Sequence, residues 1–177
     1  QSLADGKLGL ALVDARNLVE EDARSARARH LLARASLEAG DLSGASIQLE
    51  KARELGATAG SLLGTQCRIW AGKAEADKVL GECQPDAAEV GARADVLVAR
   101  GEILLAQKRG AEAMSAFEEA TRIDPDHLSA RIGQSSVAAQ SGDLARARAL
   151  LAAAPDRLRT RSAYQHALGQ IEAFSGN

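Results

Sequence analysis

The feature that most constrains this chain is a turn that keeps coming back. "AGDLSGA" at 39–45 returns as "SGDLARA" at 141–147, with "AGKAEAD" at 71–77 and "QKRGAEA" at 107–113 between them. Aligned on that turn, Gly6, Gly40, Gly72, Lys108, Gly142 and Gly176 stand 34, 32, 36, 34 and 34 residues apart. A period of this length marks stacked units, each too small to bury its apolar face alone.

Helical patterning flanks each turn. In "LSGASIQLEKAREL", Leu42, Ala45, Leu49 and Ala52 fall three or four apart, and "AEAMSAFEEATRI" rebuilds that face with Ala113, Phe117, Ala120 and Ile123. Small residues at 113 and 120 let two helices approach closely, and the Phe117 ring fills the space that remains. Gly40 and Gly142 suit the left-handed end of a helix, while Asp41 and Asp143 can accept amide hydrogens where the next one starts. Asp124 and Pro125 are expected to act similarly, with the proline in the first helical turn where its missing donor is not needed. Pro85 and Pro155 mark two further exits, so that no proline interrupts an expected helix.

Composition excludes several classes. With 22 basic and 24 acidic residues the formal charge is -2, which provides no polycationic surface for nucleic acid. No stretch reaches the roughly 18 apolar residues of a membrane span, so this chain is not expected to insert directly. It opens on Gln1 with no initiating Met and reads as a processed or trimmed product. No cofactor and no metal are expected: His30, His127 and His166 lie in separate units, and "DPDH" at 124–127 is explained by its turn. "GATAG" at 56–60 lacks a GK[ST] continuation, and no Ser or Cys sits in a nucleophile motif, so no catalytic residue is named and an enzyme is not expected. Cys67 and Cys83 fall on the two helices of one pair, 16 residues apart. One disulfide and two buried thiols both remain open for them.

The unit resembles the tetratricopeptide repeat. Residues 94–127 match best, through Leu97, Gly101, Leu104, Ala113, Phe117, Ala120 and Pro125. Residues 26–57 follow through Leu32, Ala33, Gly40, Ala45, Leu49 and Ala52, and 128–161 through Gly142, Ala147, Leu151 and Ala154. Three places depart from the pattern: Arg100 stands for a leucine, Ser135 for a glycine or alanine, and Asp77 for an alanine in the divergent copy 58–93. The resemblance implies an all-α tetratricopeptide-repeat superhelix, an alpha-alpha solenoid of about ten helices filling 1–177. Half-repeats at 6–25 and 162–177 would flank the four copies 26–57, 58–93, 94–127 and 128–161. Neither end reads as a cap, so the chain looks like part of a longer array.

A narrower likeness joins "GDLSGASIQLEKARELGA", "RGEILLAQKRGAEAMSAFEEATRIDPDHLSARIG" and "AQSGDLARARALL" to bacterial repeat lipoproteins of exopolysaccharide export and the PEP-CTERM/exosortase sorting system. It implies a lipid-anchored, extracytoplasmic, periplasmic parent; a cytoplasmic adaptor is the alternative compartment. The family pattern implies that first helices line a concave groove for a protein partner, a peptide segment or a helix. It would present Arg27, His30, Arg34, Gln66, Trp70, Val98, Glu102, Ile132 and His166. A non-catalytic scaffold is therefore expected, with a spacer or homo-oligomer module as the alternative.

Overall fold

The computed structural model describes the backbone of residues 3–174 and the side chains of residues 9–174. Among these residues there is no strand. The chain runs α1 (Leu3–Glu21), α2 (Ala26–Glu38), α3 (Leu42–Glu54), α4 (Ala59–Gly72) and α5 (Ala76–Glu82). Two 3-10 turns follow, Pro85–Ala87 and Val90–Ala92. It continues as α6 (Arg93–Ala106), α7 (Gly110–Ile123), α8 (Leu128–Gln140), α9 (Leu144–Ala152), the single turn α10 (Asp156–Arg159) and α11 (Ser162–Phe174). Helices α2 to α9 form four successive pairs stacked as an alpha-alpha solenoid, with α1 before them and α11 after.

The pairs are joined by one repeated hydrogen-bond device. Gly40, Ala74, Lys108 and Gly142 all take positive φ, at 79°, 57°, 62° and 84°, and stand 34 residues apart throughout. After each, the next amide reaches back to the end of the first helix: Asp41 to the Ser36 carbonyl, Glu75 to Trp70, Arg109 to Leu104 and Asp143 to Ala138, at 2.9–3.0 Å. This satisfies carbonyls that a helix end otherwise leaves open. Asp41 and Asp143 then accept from the amides of Gly44 and Arg146 at 2.8 and 3.0 Å, as caps of the second helix.

The structure corrects the turns at three places. Gly72 is the last residue of α4, and Ala74 is the turn residue. Gly6 lies inside α1, where a second helix simply continues; the expected turn at Gly176 lies outside the described residues. Pro125 is not in a first helical turn either. It sits in a bend before α8, where the Asp124 carboxylate accepts the Asp126 amide at 3.0 Å and His127 holds the cap position.

Packing repeats with the turns. The fully buried Phe117 ring of α7 lies between α6 and α8, where a Cβ on Gly101 would come within 2.6 Å of it. The same two places carry a different solution in each pair. In the second pair they are Cys67 and Cys83, joined in a buried disulfide with Cα atoms 5.9 Å apart. In the fourth, the Ser135 hydroxyl donates to the Ala147 carbonyl at 2.8 Å. Where the third pair uses an aromatic knob in a glycine hole, the second uses a covalent bond.

That second pair is also shortened. α5 ends at Glu82, with Pro85 three residues on, and its last carbonyls would stand open. Arg100 closes them: its guanidinium donates to the Leu80 and Cys83 carbonyls at 3.0 and 3.1 Å. Arg100 is therefore a cap for the preceding helix, which accounts for a cation where the family pattern has leucine.

Candidate protein-binding groove

The first helices of the pairs, α2, α4, α6 and α8, present their polar sides to one cleft, and a ladder of ion pairs and hydrogen bonds runs from α2 through α4 and α6 to the residue that caps α8. Arg68 of α4 donates to Glu38 of α2 at 2.6 Å and pairs with Asp95 of α6 at 3.5 Å, and His127 before α8 bonds the same Asp95 oxygen at 3.2 Å through Nε2. The Arg68, Asp95 and His127 side chains are only 17, 16 and 12% exposed. His127 Nδ1 is buried with no partner in the protein.

Burial disfavours charge on Arg68, but the adjacent Glu38 and Asp95 outweigh it and hold the guanidinium ionised more firmly than usual. Burial likewise pushes the Asp95 carboxyl up, yet the His127 hydrogen bond and the nearby Arg68 prevail, leaving it below the ordinary range. Glu102, about two helical turns from Asp95 along α6, has no such partner. Desolvation by the surrounding walls raises its carboxyl, against the pull of Arg68 and His127, although its residue surface is open to solvent.

Two cavities open on this wall. The larger, of about 720 Å³, runs from α1 and α2 across Arg68 and Asp95 to the 124–129 bend and residues 157–163. Arg157 pairs with Asp126 on that far side. The smaller, of about 220 Å³, lies among His30, Arg34, Thr65 and Asp95, and its rim is built by Glu89, Gly91 and Ala92 of the irregular segment after α5. That segment is held in place by the Glu89 amide on the Gly60 carbonyl at 3.0 Å and by the Thr58 hydroxyl on the Glu89 carboxylate. His30 Nε2 lies 2.9 Å from the Thr65 hydroxyl oxygen. Burial, and then the charge of Arg34, push the His30 imidazole below its usual range, against the opposing pull of Asp95.

Of the residues expected on the wall, Arg34 lines both cavities and His30 the smaller. Glu102 shares the field of Arg68, whereas Arg27 and His166 are exposed but line neither cavity. The others are corrected. Val98 is fully buried among Ala113, Phe117 and their neighbours, because its place, equivalent to His30, points at the following first helix. Ile132 packs half-buried against the α8, α9 and α11 core. Gln66 turns to the second-helix side, where Arg53 of α3 donates to it at 3.3 Å. Trp70 packs on the disulfide cluster, with the Lys78 ammonium 5.7 Å from its ring centre.

The last two corrections share one cause. Placing the turn at Gly72 instead of Ala74 moves every place on α4 by two residues, about 200° around a helix. The residue equivalent to Arg34 is Arg68, and the equivalents of Arg27 are Ser61, Asp95 and Ser129. All four contact a cavity.

Among the described residues no group of three or more His, Cys, Asp or Glu side chains is placed to hold a metal ion. No described helix is long and apolar enough to cross a membrane.

Residues 104–171 match the tetratricopeptide repeat family. No curated protein matches the chain. The solved structure from the functional characterization of Pseudomonas aeruginosa pilF is similar, at 19% identity and a TM-score of 0.51 over 85% of this chain and 69% of that one. YrrB, described as a TPR protein with an unusual peptide-binding site, is 19% identical with a TM-score of 0.43, over 94% of this chain and 84% of its own. At 19% identity the first likeness is one of fold alone. Residues 104–171 are thus similar to the tetratricopeptide repeat family, and the described residues form an alpha-alpha solenoid of that architecture.

Proposed function

We propose that the chain is a non-catalytic scaffold whose concave cleft binds a peptide segment or helix of a protein partner. Tetratricopeptide repeat proteins bind protein partners, and one observation carries the reading further. The cleft floor holds Arg68, Asp95 and His127 in fixed, mutually bonded geometry, with Arg34 beside them carrying no ion pair of its own among the described residues. Fixed polar groups next to a guanidinium with no direct ion pair favour a chain rich in hydrogen-bonding groups over a purely apolar guest. A photo-crosslinking residue at Ser129, in the cleft, is compared with one at Ile47, which is 55% exposed on α3. The expected result is a partner adduct from position 129 alone; equal labelling from both positions would overturn the reading.

The finer assignment, a bacterial envelope assembly for exopolysaccharide export or PEP-CTERM sorting, rests on the likeness of the repeated stretches. The Cys67–Cys83 bridge supports it, since such bonds persist in oxidising compartments. Thiol labelling in intact parent cells tests it: a reduced pair would count against it. A spacer or self-association role is favoured by Leu10 and Val13 of α1, which are 64% and 49% exposed. Sedimentation that shows a monomer at every concentration removes that second reading.

A further inference from the structure

The recess of about 220 Å³ has walls of opposite charge on a rigid floor. Helix α4 supplies the floor through Ser61 and Thr65, α2 one wall through His30 and Arg34, and the rim segment with the start of α6 the other wall through Glu89 and Asp95. Close packing fixes that second wall: a Cβ on Gly64 of α4 would come within 2.7 Å of the Ala92 carbonyl oxygen and 2.8 Å of the Asp95 Cβ. Packing does not call for polar groups at this place. His30 and Thr65 meet across the contact of α2 with α4 at 2.9 Å, whereas the corresponding places one and two repeats on are Gly64 with Ala99 and Val98 with Gly133.

Hydrogen-bonding capacity is left over on both walls. Arg34 has no direct ion pair among the described residues. Both bonds to Asp95 fall on Oδ1, and the Thr58 hydroxyl takes Oε1 of Glu89, so that among the described residues Asp95 Oδ2 and Glu89 Oε2 hold no hydrogen bond. Charge in the recess is close to balanced. Arg68 already counters Asp95, burial and then Arg34 hold His30 toward its neutral form, and Arg34 is left facing Glu89. An added carboxylate or ammonium would upset that balance, while a neutral group with an acceptor on one side and donors on the other meets both walls.

We propose that the recess holds the primary carboxamide of an asparagine or glutamine side chain of the bound peptide, its oxygen toward Arg34 and its amide hydrogens toward Glu89 and Asp95. The proposal rests on the scaffold reading and deepens it by naming a side chain that the cleft selects. A carboxamide carries an acceptor oxygen and two N–H donors in one plane without net charge. The space is several times the roughly 30 Å³ share of one water, so it admits a side-chain end. Waters that fill it in the free protein are displaced at little cost only by a guest that reproduces their hydrogen bonds, which an aliphatic side chain does not.

The probe is N-acetyl-glutamine-N-methylamide, titrated into the isotope-labelled 1–177 protein and followed by backbone amide NMR shifts. Saturable shifts at Thr65, Gly91 and Ala92 are expected, with the glutamate analogue of the probe binding about tenfold more weakly. Arg34→Ala should weaken the glutamine probe about tenfold. Glu89→Gln keeps an acceptor for Thr58 and removes a charge, so it should narrow the preference for glutamine over glutamate. Thermal melts establish that each variant is folded. Shifts that do not saturate, or that are spread over the chain, overturn the recess as a site. A glutamate probe that binds as well as the glutamine one, or a preference that Glu89→Gln leaves unchanged, overturns the carboxamide assignment. Tighter binding of free glycine does so as well, since a zwitterionic amino acid would then be the guest. If the probe binds as described while cleft crosslinks at Ser129 find no partner, the wider scaffold reading fails and the carboxamide site stands. If crosslinks at Ser129 persist while the probe gives no saturable shifts, the carboxamide site fails and the scaffold reading stands.

Discussion

The ring of Phe117 fills the space that a Cβ on Gly133 would need, with its Cε1 and Cζ atoms 2.4 Å from that point. The ring is fully buried and bounded by α6 on its other side, so it has nowhere to retreat. Gly133→Ala is expected to destabilise the chain by about 1–3 kcal/mol through overpacking. In a Phe117→Leu background the same substitution should cost less, which denaturant titration of the double-mutant cycle checks. Phe117→Ala alone should cost about 3–5 kcal/mol.

Cys67 and Cys83 stand where Gly101 and Phe117 stand in the next pair, so their bond substitutes for a knob and its hole. Reduction, or the double change Cys67→Ala and Cys83→Ala, is expected to lower stability by about 3 kcal/mol for a closed loop of this length. Hydrogen exchange should then rise first in α4, α5 and the 84–92 segment. Uniform exchange throughout the chain would contradict this local role.

Arg68→Ala leaves Glu38 without its guanidinium and Asp95 with His127 alone. Stability should drop by about 2–3 kcal/mol, somewhat under the loss for a fully buried pair, since Arg68 keeps some solvent contact. The Asp95 carboxyl should titrate at higher pH in the variant than in the parent, as read by carbon-detected NMR.

His30 supplies a pH dependence with a definite sign. Its folded-state imidazole is held below the unfolded value of about 6.5. The unfolded chain therefore binds more protons in that window. The contribution is complete above about pH 6.5 and is lost as pH falls through the lower, folded-state value. Glu102, whose carboxyl is raised, acts in the opposite sense as pH rises above the ordinary glutamate value of about 4.5. Denaturation of the parent and of His30→Gln across pH 5–8 isolates the histidine: the difference between the two should shrink on acidification.

The helical pairs are legible in sequence because apolar spacing and turn chemistry report on local structure. The turns at Gly40 and Gly142 carry the glycine and aspartate that such a bend selects. At Ala74 the left-handed residue is an alanine, while a glycine stands two places earlier as a decoy, and nothing local separates them. That displacement puts Gln66 and Trp70 on the wall in place of Arg68. Val98 misleads for another reason: which side of a first helix is covered depends on its neighbours, and a wall seen one helix at a time hides this. The Glu38–Arg68–Asp95–His127 ladder spans helices far apart in sequence, so no window along the chain contains it. Arg100 looks like a flaw in the pattern because the carbonyls it serves exist only where α5 stops early.

That early stop has a consequence of its own. The register of left-handed residues is kept from Ala74 to Lys108, so whatever α5 gives up in helical length reappears as the irregular stretch 84–92. Glu89, Gly91 and Ala92 of that stretch become a lip over the small recess. A solenoid ruled by a fixed period can thus diversify its surface without inserting a single residue, by unwinding part of a buttress and laying the slack along the rim.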